Sequence, residues 1–147
     1  MKIFINNLIL CFSVVFGQDI IVQPYLQNAS PDAIRILWGT RPCNNGLVFW
    51  GLTDSLGNTT TATSEQSKGT ACIHTASLEG LQPATTYFYQ VGNATGRSAS
   101  YTFRTPPSAD SESSINLVAI SDMQKDVLNP RVFEKVTNEG IIKHLSE

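Results

Sequence analysis

Leu81-Gln82-Pro83-Ala84-Thr85-Thr86-Tyr87-Phe88-Tyr89-Gln90-Val91 decides how the middle of this chain folds. Tyr87, Tyr89 and Val91 recur at every second position, so an extended backbone turns all three to one face. Leu81 ahead of them is an apolar plug for the end of a layered fold, and Pro83 stiffens the crossover into the strand. Tyr87 is placed to return a hydroxyl bond to the backbone just upstream, the arrangement known as a tyrosine corner.

The flanking sequence repeats the same logic. Asp19–Gln27 is extended but interrupted by Pro24, which suits an edge strand. In Ala33–Thr40, Ile34, Ile36 and Trp38 share one face and Arg35 lies on the other. Gly46–Trp50 is an apolar run closed by Gly51, and Thr59–Ser64 is β-favouring but polar, a weak edge strand at best. Within Thr70–Leu78, Cys72, His74, Ala76 and Leu78 alternate with Ile73, Thr75 and Ser77. Tyr101 and Phe103 line one face of a last strand. Asn44-Asn45-Gly46 and Gly92-Asn93 supply turn residues that tolerate positive φ. About seven short strands at this spacing predict an antiparallel two-sheet sandwich.

The chain has 147 residues, with 10 Lys and Arg against 12 Asp and Glu, a net charge of −2. That balance argues against a nucleic-acid or anionic-membrane binder. At 41% hydrophobic and 15% charged, the composition builds a core and excludes a disordered solvating tail.

Met1-Lys2, the apolar run Leu8–Phe16 and Val15-Phe16-Gly17 before Gln18 read as a secretory signal peptide over residues 1–17. The run is too short to span a bilayer, so no stable membrane insertion is expected. Removal of Lys2 leaves 9 basic against 12 acidic residues, a charge of −3. Export to a secreted or extracytoplasmic compartment would let Cys43 and Cys72 form a disulfide, but their spacing equally allows two free, semi-buried thiols. Asn28-Ala-Ser30, Asn58-Thr-Thr60 and Asn93-Ala-Thr95 match the glycosylation acceptor pattern.

The run Leu-x-Pro-x-Thr-x-Tyr-x-Tyr-x-Val from Leu81 to Val91 closely resembles the fibronectin type III pattern. With Gln23-Pro24-Tyr25-Leu26-Gln27 in front and Phe103-Arg104-Thr105-Pro106-Pro107 behind, the chain resembles the N-terminal, fibronectin type III-like domain of purple acid phosphatases. The resemblance implies a mainly β, immunoglobulin-like sandwich over residues 18–107, followed by a metal-dependent phosphoesterase domain.

After Pro107 the character changes. Residues 108–114 are a serine-rich linker, and Ile115–Ile120 is a nearly continuous apolar strand of the kind covered on both faces in α/β architecture. Asn129 and Pro130 can start a helix whose apolar stripe runs through Val132, Phe133, Val136, Ile141 and Leu145. Residues 115–147 therefore read as the first strand and helix of a truncated α/β metallophosphoesterase domain.

A carboxylate at the carboxyl end of a buried strand sits where such sheets place ligands, and Ile120-Ser121-Asp122 resembles the first metal-ligand motif of calcineurin-like metallophosphoesterases. That resemblance implies that Asp122 binds one of two adjacent metal ions, Fe, Zn or Mn, which together activate a water for in-line attack on a phosphate ester. The departures are Ser121 and Gln124, where many purple acid phosphatases have Gly on both sides of the Asp, or other relatives have His two residues after it. Asp126 reads as a solvated loop residue, His74 as a structural or exposed histidine, and His144, near a helix end, as structural.

Beyond Asp122 the sequence offers no Asn-His pair and no further histidine cluster, so the chain as it stands is expected to lack phosphatase activity. A different class of function stays open at this point. A secreted fibronectin-type module serving adhesion or partner binding would need no metal, and a degenerate phosphatase relative would explain Gln124.

Overall fold

In a computed structural model of the protein, the structure describes residues 19–114. The expected signal peptide, the strand expected at Ile115–Ile120, Asp122, Gln124, Asp126 and the helix expected to carry His144 lie outside the described residues. The chain divides into two compact units after Ala109.

Eight strands build the first unit: β1 (Asp19–Gln27), β2 (Ala33–Arg41), β3 (Leu47–Gly51), β4 (Asn58–Thr61), β5 (Thr63–Gln66), β6 (Cys72–Glu79), β7 (Thr86–Gly92) and β8 (Tyr101–Arg104). One antiparallel sheet runs β1-β2-β6-β5 and the other β4-β3-β7-β8. Among the described residues there is no helix. This strand order is that of immunoglobulin-type sandwiches.

Alternation fixes which side chains meet between the sheets. Ile34, Ile36 and Trp38 on β2 pair in register with Leu78, Ala76 and His74 on β6, all inward and buried. From the other sheet come Val48, Tyr87, Tyr89, Val91 and Phe103. A one-residue slip in either ladder would turn these sets to solvent, so burial itself pins the register. The aromatic rings interlock, with Tyr87 stacked on Phe103 at 5.4 Å and Tyr89 tilted against Phe103 at 5.8 Å and Tyr101 at 5.5 Å. Burial, with the neighbouring Tyr101 phenol, pushes the Tyr89 hydroxyl up to about 12.

The edges behave as the side chains dictate. Pairing of β1 with β2 shifts register between Val22 and Tyr25, at Pro24, which cannot donate to the ladder. The Tyr101 hydroxyl donates to Gln23 Oε1 at 2.9 Å, joining edge strand β8 of one sheet to edge strand β1 of the other.

The polar stretch expected to be one weak edge strand over Thr59–Ser64 is instead two strands on different sheets. β4 pairs with β3, and β5 pairs with β6, and the chain crosses from one to the other at Ala62. A segment without an apolar face has nothing to hold it to one sheet, so each half takes the open ladder nearest to it. Half-buried Ala62 packs against the core, and its N–H donates to the Gly46 carbonyl at 2.9 Å.

The tyrosine corner is present. The Gln82 N–H donates to the Tyr87 hydroxyl at 2.9 Å, and Leu81 is buried behind it. Thr105, unremarkable in sequence, closes the same end: its hydroxyl donates to the Gln82 carbonyl at 2.6 Å and accepts from the Thr85 N–H at 2.9 Å. Tyr87→Phe leaves the partly buried Gln82 N–H without its acceptor, and the expected loss is about 1–2 kcal/mol in urea unfolding. A loss below a few tenths would mean that water replaces the hydroxyl there.

Candidate functional site

Cys43 and Cys72 form a disulfide, with Cα atoms 5.1 Å apart, across the end of β2 and the start of β6. Strand pairing is what makes this possible, because Thr40 stands opposite Cys72 in the ladder and the chain turns back directly after it. The Cys43 N–H donates to the Thr70 carbonyl at 2.7 Å, holding the two segments together alongside the covalent bond. Cys43 is exposed, whereas Cys72 is fully buried.

Inward from the bridge lies a buried polar cluster. His74 Nε2 is 2.7 Å from Thr40 Oγ1, and its Nδ1 is 2.8 Å from Ser64 Oγ. Thr40 Oγ1 also donates to the Pro42 carbonyl at 3.3 Å. With the imidazole proton on Nε2, every group is satisfied: Ser64 donates to Nδ1, Nε2–H donates to Thr40, and Thr40 donates to Pro42. One face of the ring stacks on Trp38, centroids 4.8 Å apart. Gly46 covers the pair; a Cβ there would stand 2.6 Å from His74 Nδ1 and 2.8 Å from Trp38 Cζ2, so a side chain would force the rings aside.

Ser64 and His74 have the spacing of a nucleophile–base pair. The chemistry does not follow. His74 is fully buried, and its second nitrogen meets a threonine hydroxyl, which cannot stabilise an imidazolium as a carboxylate does. The cluster ties β2, β5 and β6 together, and His74, expected to be structural or exposed, is buried within it.

Burial holds the His74 imidazole below its ordinary pKa. In acid the unfolded chain therefore binds a proton that the folded chain refuses. The stability tied to a neutral His74 is complete above about pH 6.5 and is lost as pH falls through the folded value. The free energy of urea unfolding is expected to drop between pH 7.5 and pH 5, and to drop less in His74→Gln. Equal slopes in the two proteins would remove His74 as the cause.

The sandwich end next to this cluster holds an open cavity of about 620 Å³, lined by Asn44, Asn45, Leu47, Thr61, Asn93, Ala94 and Thr95. Its wall is carboxamide, hydroxyl and aliphatic, with no charge. Asn93 shapes the turn, its Oδ1 accepting from the Thr95 N–H at 2.8 Å, the Thr95 hydroxyl at 2.9 Å and the Gly96 N–H at 2.9 Å. Sequence reasoning marked these asparagines as turn residues and did not foresee the cavity, which exists because two connections far apart in the chain meet at one end of the sandwich.

Among the described residues, no group of three or more His, Cys, Asp or Glu could hold a metal ion. His74 has both nitrogens engaged by hydroxyls, and Cys43 and Cys72 are consumed in the disulfide. The sandwich does not fit the two metals that the sequence implies, and Asp122, the predicted ligand, lies outside the described residues.

Fold and site together define an immunoglobulin-type β-sandwich module stapled by one disulfide. Residues 21–105 match the family described as purple acid phosphatase, N-terminal domain, and the chain belongs to that family. Among solved structures it is similar to the sensor domain of the anti-sigma factor RsgI4 of Pseudobacteroides cellulosolvens. A longer form of that domain matches at 23% identity and a TM-score of 0.50, over 67% of this chain and 99% of that one. A shorter form matches at 19% identity and a TM-score of 0.48, over 63% and 98%. Astrotactin-2, a vertebrate-specific, perforin-like membrane protein, matches at 12% identity and a TM-score of 0.44, over 59% of this chain and 22% of that one. The first of these likenesses concerns the fold alone. No curated protein sequence matches the chain.

Proposed function

We propose that this chain is the N-terminal part of a secreted, two-metal phosphoesterase in which the sandwich is a scaffold and the hydrolysis of a phosphate ester belongs to residues beyond it. The observation that carries this is the family match over residues 21–105, to a domain defined by its place at the N-terminal side of purple acid phosphatases. Among the described residues no group of three or more His, Cys, Asp or Glu could hold a metal ion, so in this reading the metal ligands are supplied from beyond the sandwich. In this reading residues 108–114 are a linker, residues 115–147 open the metallophosphoesterase domain, and Asp122 is a carboxylate ligand for one of two Fe, Zn or Mn ions. Residues 1–17 direct the protein out of the cytoplasm, where the Cys43–Cys72 bridge persists.

The test compares the 147-residue chain with the product of the same reading frame carried past Glu147. Each is loaded with Fe, Zn or Mn and assayed with an aryl phosphate. The short chain is expected to be inactive and the extended one active, with Asp122→Asn lowering both metal content and turnover in the latter. Turnover by the short chain, or an extended product of further β modules without metal, would overturn the proposal; the second outcome would favour an adhesion module.

A further inference from the structure

The disulfide is asymmetric in a way that its stabilising role does not require. Cys43 lies on the surface at the root of the connection from β2 to β3, while Cys72 is fully buried behind it. An attacking thiolate must approach a sulfur along the S–S axis, from the side opposite the sulfur it expels. For Cys43 that approach comes from solvent. For Cys72 it would have to come from the interior, where Thr40 Oγ1 lies 3.8 Å and His74 Nε2 3.5 Å from its Sγ. The Thr40 hydroxyl, whose bond to the Pro42 carbonyl is long at 3.3 Å, can rotate to donate to a thiolate leaving Cys72.

We propose that the Cys43–Cys72 bridge is a one-sided thiol-responsive latch on the cavity at the sandwich end. An external thiolate forms a new S–S bond to Cys43 Sγ, the Cys43–Cys72 bond breaks, and its electron pair leaves on Cys72 Sγ. The Thr40 hydroxyl turns from the Pro42 carbonyl to hydrogen-bond that thiolate, while His74 Nε2–H keeps its bond to Thr40, until the sulfur takes a proton from solvent. A second thiol then resolves the mixed disulfide at Cys43, leaving two protein thiols and one external disulfide. The bridge is reduced and the external thiols are oxidised, so the two electrons balance. The consequence is local. Opening the bond removes the covalent tether of residues 42–46, which carry Asn44 and Asn45 of the cavity wall and Gly46 over the His74 and Trp38 rings. The core strands keep their packing.

Brief exposure of the native protein to glutathione at pH 7.5, followed by acid quenching, denaturation, alkylation and peptide mapping, tests the first step. Glutathione is expected on Cys43 and the alkyl group on Cys72, in about tenfold or greater excess over the reverse pattern, because exchange follows access to the attacked sulfur. An even or reversed partition overturns the proposal. A reduced Cys-x-x-Cys protein in place of glutathione distinguishes the source: faster opening by the protein marks a dithiol partner, and faster opening by glutathione a small thiol. Thr40→Val, which removes one donor to the leaving sulfur, should slow opening several-fold without changing the partition. Should that variant not fold, the wild-type partition still decides. Hydrogen exchange tests the second step. On reduction, the amides of residues 43–45 should exchange faster while β2, β6 and β7 stay protected; unchanged exchange at residues 43–45, or loss of protection throughout, would overturn the latch.

Discussion

Trp38→Ala is expected to cost about 3–5 kcal/mol, the range for deleting a large buried aromatic, and so to bring a domain of this size to the margin of folding. Trp38 is fully buried at the centre of the core and stacked on His74 under Gly46, so little can collapse into the space it leaves. The indole nitrogen supplies a sharper test. Trp38 Nε1 is buried without a hydrogen-bond partner, so the side chain contributes packing alone and carries the desolvation cost of an unmade bond. Trp38→Phe keeps most of the ring volume and removes the orphan donor. Its expected loss in urea unfolding is less than half that of alanine. If phenylalanine proved as damaging as alanine, the nitrogen would have a partner, and an ordered water is the one that fits.

Removing the disulfide is the second large effect. The bridge closes a loop with a sequence separation of 29, for which the loop-entropy relation gives about 3.5 kcal/mol. Cys43→Ser combined with Cys72→Ala should lower the free energy of unfolding by about that amount, acting mainly by enlarging the unfolded ensemble. The hydrogen bond between Cys43 and Thr70 still joins the two segments in the folded state, so the native strands should survive at moderate temperature. Urea unfolding of the double variant against the oxidised wild type checks this. A difference below about 1 kcal/mol would show that the unfolded chain already keeps these segments close.

Much of the sandwich was legible because alternation is a local property. Ile34, Ile36 and Trp38, the set Cys72, His74, Ala76 and Leu78, and the set Tyr87, Tyr89 and Val91 all face inward as their spacing requires. Leu81 and Tyr87 close the end of the fold as the Leu-x-Pro-x-Thr-x-Tyr pattern implied. The pattern also led to the family that the comparison assigns. Thr105 enters the sequence reading only as part of the motif after the last strand, and its closing role is not legible there because a lone threonine gives no periodic signal; its value lies in reaching back to Gln82 and Thr85. Of the candidate site, the sequence named Asp122 by resemblance to a motif, and that residue lies outside the described residues. The cavity was invisible for the opposite reason, since its walls come from turns that are unremarkable one at a time.

The order of side chains along the chain thus determined the strands, their inward faces and the closing tyrosine, because a period of two is written in neighbours. Tertiary structure decided the rest. It sent β4 and β5 to different sheets, joined Cys43 to Cys72, and paired both nitrogens of His74 with hydroxyls from two other strands. Each of these depends on residues distant in sequence meeting across a ladder or a loop, and no local pattern fixes that meeting until the two sheets have packed.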